Sequence, residues 1–145
     1  MSMTEQRGEQ HPRIMVTEQD LERLRTVIDT SADARSIAAA EALEAELGRA
    51  LVVAPTEVPP DVVTMNSRVV YLDEQSNQTR EVTLSYPREA SVAEGRVSVL
   101  APIGAALLGL SVGQAIDWPL PGGNHKRLRI VAVPYQPEAA GHFNL

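Results

Sequence analysis

The sequence predicts an α+β protein: a short antiparallel helical hairpin, followed by a strongly bent antiparallel sheet with one short helix packed on it. Three observations predict this. Apolar residues recur at spacings of three and four up to about residue 51, three prolines fall between Pro55 and Pro60, and beyond them the apolar period changes to two. At 145 residues and 43% apolar content, the chain is long enough for one domain or two small units.

Residues 1–13 are polar and read as a flexible leader without the apolar core of a signal segment. In VTEQDLERLRTVIDT, Thr17 is placed to cap a helix. Asp20 is a weaker version of the capping-box acid, and Val16 and Leu21 form a hydrophobic staple. Leu21, Leu24 and Ile28 give a narrow apolar stripe. The small polar residues of DTSADARS break the helix. A second helix from about Ser36 to Leu51 carries Ala40, Leu43, Leu47 and Ala50. Matching stripes joined by a short connection predict a hairpin over 14–52, a short coiled coil with Asp29 and Asp33 at its tip. Arms of about 12–15 residues reach roughly 20 Å.

The proline-rich segment 53–61 reads as a linker. After it, NSRVVYLDE and TREVTLSYP flank QSNQ as a β-hairpin, and GRVSVLA, AIDWPL and KRLRIVAVPY supply three more strands. Expected inward faces are Val82, Leu84 and Tyr86; Ile116, Trp118 and Leu120; and Leu128, Ile130 and Ala132. Between the third and fourth strands lies PIGAALLG, where Pro102 suits the first position of a helix and Gly109 the position just past its end. These elements make a second unit over 62–145.

Composition excludes much chemistry. The chain has no cysteine, so disulfides, thiolate metal sites and cysteine nucleophiles are out, and a reducing, cytoplasmic setting is expected. No apolar run approaches the roughly 20 residues of a membrane span. His11, His125 and His142 do not have metal-ligand spacing, so no metal or other cofactor is expected. PGGNHK lacks the full pattern of a phosphate loop and reads as a turn. Residues 1–60 hold six arginines against eleven carboxylates, which disfavours direct binding of nucleic acid. The small basic group Lys126, Arg127 and Arg129 reads as a solvated strand face. With no serine elbow or triad, no catalytic residue is assigned.

The stretch SVLAPIGAALLGLSVGQAIDWPLPGG, followed by LRIVAV, resembles the C-terminal domain of the bacterial Gre transcript-cleavage factors. DVVTMNSRV, APIGAALLGL and YQPEAAG more closely resemble the Rnk family, Gre-like regulators of nucleoside diphosphate kinase. The resemblance spans roughly residues 14–143. It implies an FKBP-like fold for the sheet unit and RNA polymerase as partner. In Gre factors a long coiled coil enters the secondary channel of the polymerase, and acidic residues at its tip help hold a catalytic magnesium. The globular domain docks on the channel rim. Carried over, the docking residues are Leu100, Ala101, Pro102 and Ile103, with Ala101 where Gre factors often have serine. The short arms imply a competitor of Gre factors that does not stimulate cleavage and reaches nucleoside diphosphate kinase only indirectly, through transcription. Two other readings are an interaction module for another protein and an FKBP-type peptidyl-prolyl isomerase. The five aromatic residues, scattered along the chain, disfavour the isomerase pocket. A folded hairpin that buries its own stripe suggests a monomer.

Overall fold

The computed structural model describes residues 14–30, 34–119 and 125–143. Among these the elements run β1 (Met15–Thr17), α1 (Glu18–Asp29), α2 (Ala34–Gly48), β2 (Leu51–Val53), β3 (Arg68–Asp73), β4 (Gln78–Ser85), β5 (Arg96–Ser98), α3 (Pro102–Leu107), β6 (Ala115–Pro119) and β7 (His125–Tyr135). The architecture is mixed α+β, with three helices and a curled five-stranded sheet in the order β5-β4-β3-β7-β6.

α1 starts where its cap dictates. Thr17 holds an extended backbone, and its Oγ1 accepts from the Asp20 N–H at 3.1 Å, contributing about 1 kcal/mol. Leu24 is completely buried; Leu21 and Ile28 pack on the core from its margin. On α2 the buried positions are Ala40, Leu43 and Leu47. The expected extension to Leu51 is corrected. α2 ends at Gly48, and β-branched Val52 and Val53 enter a strand instead. β2 pairs in parallel with β1, Met15 opposite Leu51, and closes the base of the helical pair.

That base is bonded to the end of α3. Gly109 accepts from the Met15 N–H at 3.1 Å and donates to the Val63 carbonyl at 2.8 Å. Its φ of +80° is left-handed, and a Cβ there would lie 2.4 Å from the Ile14 Cβ, so glycine is required twice over. Buried side chains from Ile14, Val16, Leu24, Leu43 and Leu47 join those of Val63, Met65, Leu84, Leu107, Leu128 and Ile130 in one cluster that crosses segment 53–61.

The β3–β4 hairpin turns at Glu74–Asn77. Asn77 has φ +60°, and Asp73 Oδ1 accepts from the Gln75 N–H at 3.0 Å. Two details of the sheet differ from expectation. β5 pairs with β4 in parallel, because two short 3-10 turns, Pro87–Glu89 and Val92–Glu94, carry the chain back before it re-enters the sheet. The stripe Leu128, Ile130, Ala132 breaks at an irregularity between β3 and β7. Tyr71 faces Ile130, whereas its neighbour Val70 faces Ala132, so Ala132 is turned to the other face and Val133 packs on the core. Ser85, which strand alternation sets on the face opposite Val82, Leu84 and Tyr86, is fully buried as well. The side chain of Trp118, and Leu120 altogether, lie outside the described residues.

A candidate docking ridge and a buried polar junction

The ridge is built by the turn from β5 into α3. The Val99 N–H bonds to the Ser85 carbonyl at 2.9 Å, Ser98 Oγ accepts from the Leu100 N–H at 3.0 Å, and the Ser98 carbonyl accepts from the Ala101 N–H at 3.0 Å. Ala101 holds the extended backbone of an N-cap without a side-chain bond, and Pro102 occupies the first helical position. Gly104 lets α3 lie directly on the strand: a Cβ there would be 2.0 Å from the Ser98 carbonyl oxygen. Thus Leu100, Ala101, Pro102 and Ile103 lie together on one turn. Pro102 is exposed, while Leu100 and Ile103 are half-buried against the core. What the turn presents is an apolar edge on rigid backbone, with nothing ionisable among these four residues. Pro102→Ala is expected to shift the thermal midpoint by only a degree or two, because the position lacks an N–H bond to lose and tolerates many residues. A large fall would make Pro102 chiefly structural.

Asp29 ends α1 and is exposed, while Asp33 lies outside the described residues. A carboxylate in the last turn opposes the helix dipole, so helix stability does not explain Asp29. The arms contain 12 and 15 residues, hence roughly 18 and 22 Å. Among the described residues no three His, Asp or Glu side chains gather as metal ligands, and no helix is long and apolar enough to cross a membrane. Of the histidines, His142 Nδ1 lies 2.7 Å from the Tyr135 hydroxyl. Two basic residues of β7, Arg127 and Arg129, are matched by acids. Arg127 meets Asp117 and Glu74 at 3.1 Å each, and Arg129 meets Glu74 at 2.7 Å. The turn expected at PGGNHK lies largely outside the described residues.

Sequence reasoning missed a second cluster, where α1 meets the sheet. Asp20 is 3% exposed, and its Oδ2 accepts from the Met65 N–H at 3.1 Å. Burial pushes its carboxyl up to about 6, helped by the nearby charge of Glu138 and opposed by the Met65 bond, Arg23 and Thr17. The same burial, with Asp20 beside it, raises the Tyr86 hydroxyl, and Arg23 partly offsets this. Thr64 Oγ1 donates to Glu138 Oε1 at 2.7 Å and lies 2.9 Å from Ser67 Oγ. Gln136 Nε2 donates to the carbonyls of Pro59 and Val62, both at 2.8 Å. The motifs TMNSRV and QPEAAG were visible in the sequence, but no local pattern reveals that they meet.

The raised Asp20 carboxyl sets a pH dependence. The folded state holds this proton up to about pH 6, whereas an unfolded chain releases it near 3.8. Stability from this group is therefore fullest below 3.8, falls as pH rises, and the cost, on the order of 3 kcal/mol, is complete above 6. Asp20→Asn keeps an oxygen for the Met65 N–H and removes the charge. It is expected to flatten the stability profile between pH 4 and 7 in urea titrations, with little change at pH 4. A slope like that of the wild type would assign the dependence to other groups.

The comparisons with known proteins divide the chain between two families. The GreA/GreB transcription elongation factor C-terminal family matches residues 58–135, and the Rnk N-terminus family matches residues 12–53. The chain is 45% identical over 134 residues to the regulator of nucleoside diphosphate kinase of Escherichia coli K12, covering 92% of this chain and 98% of the relative. It is 37% identical over 81 residues to transcription elongation factor GreA of Mesorhizobium japonicum, covering 56% of this chain and 52% of that protein. A solved structure described as a prokaryotic transcription elongation factor GreA/GreB from Nitrosomonas europaea superposes with a TM-score of 0.68. It is 46% identical and covers 86% of this chain and 99% of that one. These relatives are regulators and elongation factors rather than enzymes. With a Gre-type C-terminal half joined to an Rnk N-terminus along nearly the whole length of a relative, the chain belongs to the Rnk family of Gre-like proteins.

Proposed function

We propose that this protein is a transcription regulator that binds RNA polymerase in the cytoplasm as a monomer. It docks at the rim of the secondary channel through Leu100, Ala101, Pro102 and Ile103 and competes there with Gre factors without stimulating transcript cleavage. The observation that carries this reading is the ridge itself. An exposed proline between half-buried aliphatics, on backbone fixed by Ser98 and Gly104, lies inside the stretch that matches the GreA/GreB C-terminal family. In this reading the sheet unit is FKBP-like and the hairpin is a short coiled coil. Its arms, roughly 18 and 22 Å long, hold Asp29 and Asp33 short of the catalytic centre. The name of the Escherichia coli relative then reflects an effect on nucleoside diphosphate kinase levels that passes through transcription.

Titration of purified RNA polymerase with labelled protein tests the dock. Pro102→Ala is expected to weaken binding about tenfold, equivalent to about 1.4 kcal/mol. Asp29→Asn combined with Asp33→Asn is expected to leave affinity within about twofold, since the ridge supplies most of the contact. Equal affinity for Pro102→Ala and wild type would remove Pro102 from the interface.

A further inference from the structure

The segment Gln136–Gly141 follows the last strand, yet it is tightly organised. The Ala140 N–H bonds to the Gln136 carbonyl at 3.1 Å, Gly141 N–H to Glu138 at 3.1 Å and His142 N–H to Pro137 at 2.7 Å. Gln136 is buried and spends its whole amide: Nε2 donates to Pro59 and Val62, while Oε1 accepts from the Ala139 N–H at 3.1 Å. Two residues further on, Glu138 takes the Thr64 hydroxyl.

Thr64 opens a tight turn that touches three other parts of the fold. Its N–H donates to Ser67 Oγ at 3.0 Å, which leaves the Ser67 hydroxyl proton for Thr64 Oγ1 while the Thr64 proton goes to Glu138. Asn66, held at φ +68°, donates its N–H to the Leu84 carbonyl of β4 at 2.7 Å. Between them, the buried Met65 aims its N–H at Asp20 on α1. The strap and the hairpin therefore grip adjacent residues of one turn, from two different elements.

We propose that Gln136–Gly141 is a strap that fixes the start of α1 on the sheet by way of the 64–67 turn, and that loosening its hold on Thr64 lets Met65 and the first turns of α1 open locally while the sheet stays folded. Glu138 is then a positioning residue: it holds Thr64, Thr64 places the Met65 N–H, and that N–H anchors α1 through Asp20. This inference is independent of polymerase binding, so neither stands or falls with the other.

Amide hydrogen exchange on the full chain at neutral pH tests it. In Glu138→Ala, Met65 and the first turns of α1 are expected to exchange about tenfold faster, with β3 and β7 changed by less than about twofold. Glu138→Gln still offers an oxygen to Thr64 and is expected to restore slow exchange. If Glu138→Ala proves too unstable, Thr64→Val and Thr64→Ser form the same pair of loss and rescue. A second readout separates positioning from bulk stability. The groups facing the Asp20 carboxylate are Thr17 and Arg23 beside it, the Met65 N–H, Glu138 on the strap and Tyr86 beyond β4. The Met65 amide shift should therefore follow the Asp20 titration with a midpoint near 6 in the wild type, lose much of that pH-dependent amplitude in Glu138→Ala and regain it in Glu138→Gln. Uniform acceleration across hairpin and sheet, no acceleration in Glu138→Ala, or an undiminished pH-dependent amplitude in Glu138→Ala would each overturn the proposal.

Discussion

Gly104→Ala is expected to destabilise the protein by about 3 kcal/mol, near the upper end of overpacking effects. The reason is geometric. The new methyl would stand 2.0 Å from the Ser98 carbonyl oxygen and 2.8 Å from its carbon, and both are backbone atoms that cannot rotate away. Relief requires α3 to lift from β5, which breaks the Ser98–Ala101 bond and tilts Pro102 and Ile103 with it. Urea unfolding should show a much lower midpoint with the slope preserved. An unchanged midpoint would mean that α3 is not clamped to the strand, and the rigid backbone claimed for the ridge would be wrong.

Leu43→Ala and Leu47→Ala are expected to cost about 2–5 kcal/mol each. Leu43 is 1% and Leu47 4% exposed, both within the cluster that contains the wholly buried Leu24. Truncation leaves a void in the helical hairpin that flanking alanines are too small to fill. The two positions share neighbours, so the double variant should depart from additivity. Neutral results at both would mean that the apolar stripe of α2 does not form the seam with α1.

How much of this was legible depended on how far each signal travels along the chain. Thr17 as the cap of α1, Pro102 and Gly109 at the ends of α3, and the apolar stripes of both hairpin helices all follow from residues within a turn or two of each other. The direction of β5 was not legible, because an alternating strand reads the same whether it pairs in parallel or antiparallel fashion. The reversal at Ala132 comes from an irregularity in pairing, which leaves no mark in the strand's own residues. The end of α2 was nearer to hand: Gly48 followed by Leu51, Val52 and Val53 is a stop and a strand, obscured by the helical spacing of Ala50.

Asp20 shows the limit best. Locally it is an acid in the first turn of a helix, a common capping arrangement. Its environment is set by Met65, 45 residues away, whose N–H it accepts, and by the nearby charge of Glu138 beyond β7. For the ridge, the four residues are adjacent in sequence, so their grouping was readable in advance. The close approach of α3 to Ser98 that makes their backbone rigid was not, since a glycine inside a short apolar helix does not announce what lies against it.

Docking at the polymerase rim without delivery of an acidic tip is tested most directly by cleavage in a backtracked polymerase complex. Gre factor is held constant and this protein is titrated in, with parallel reactions at higher Gre factor. The account predicts no cleavage by the protein alone, a progressive fall in Gre-driven cleavage as it is added, and recovery when more Gre factor is supplied. Robust cleavage by the protein alone, or undiminished Gre activity at every concentration, would contradict it.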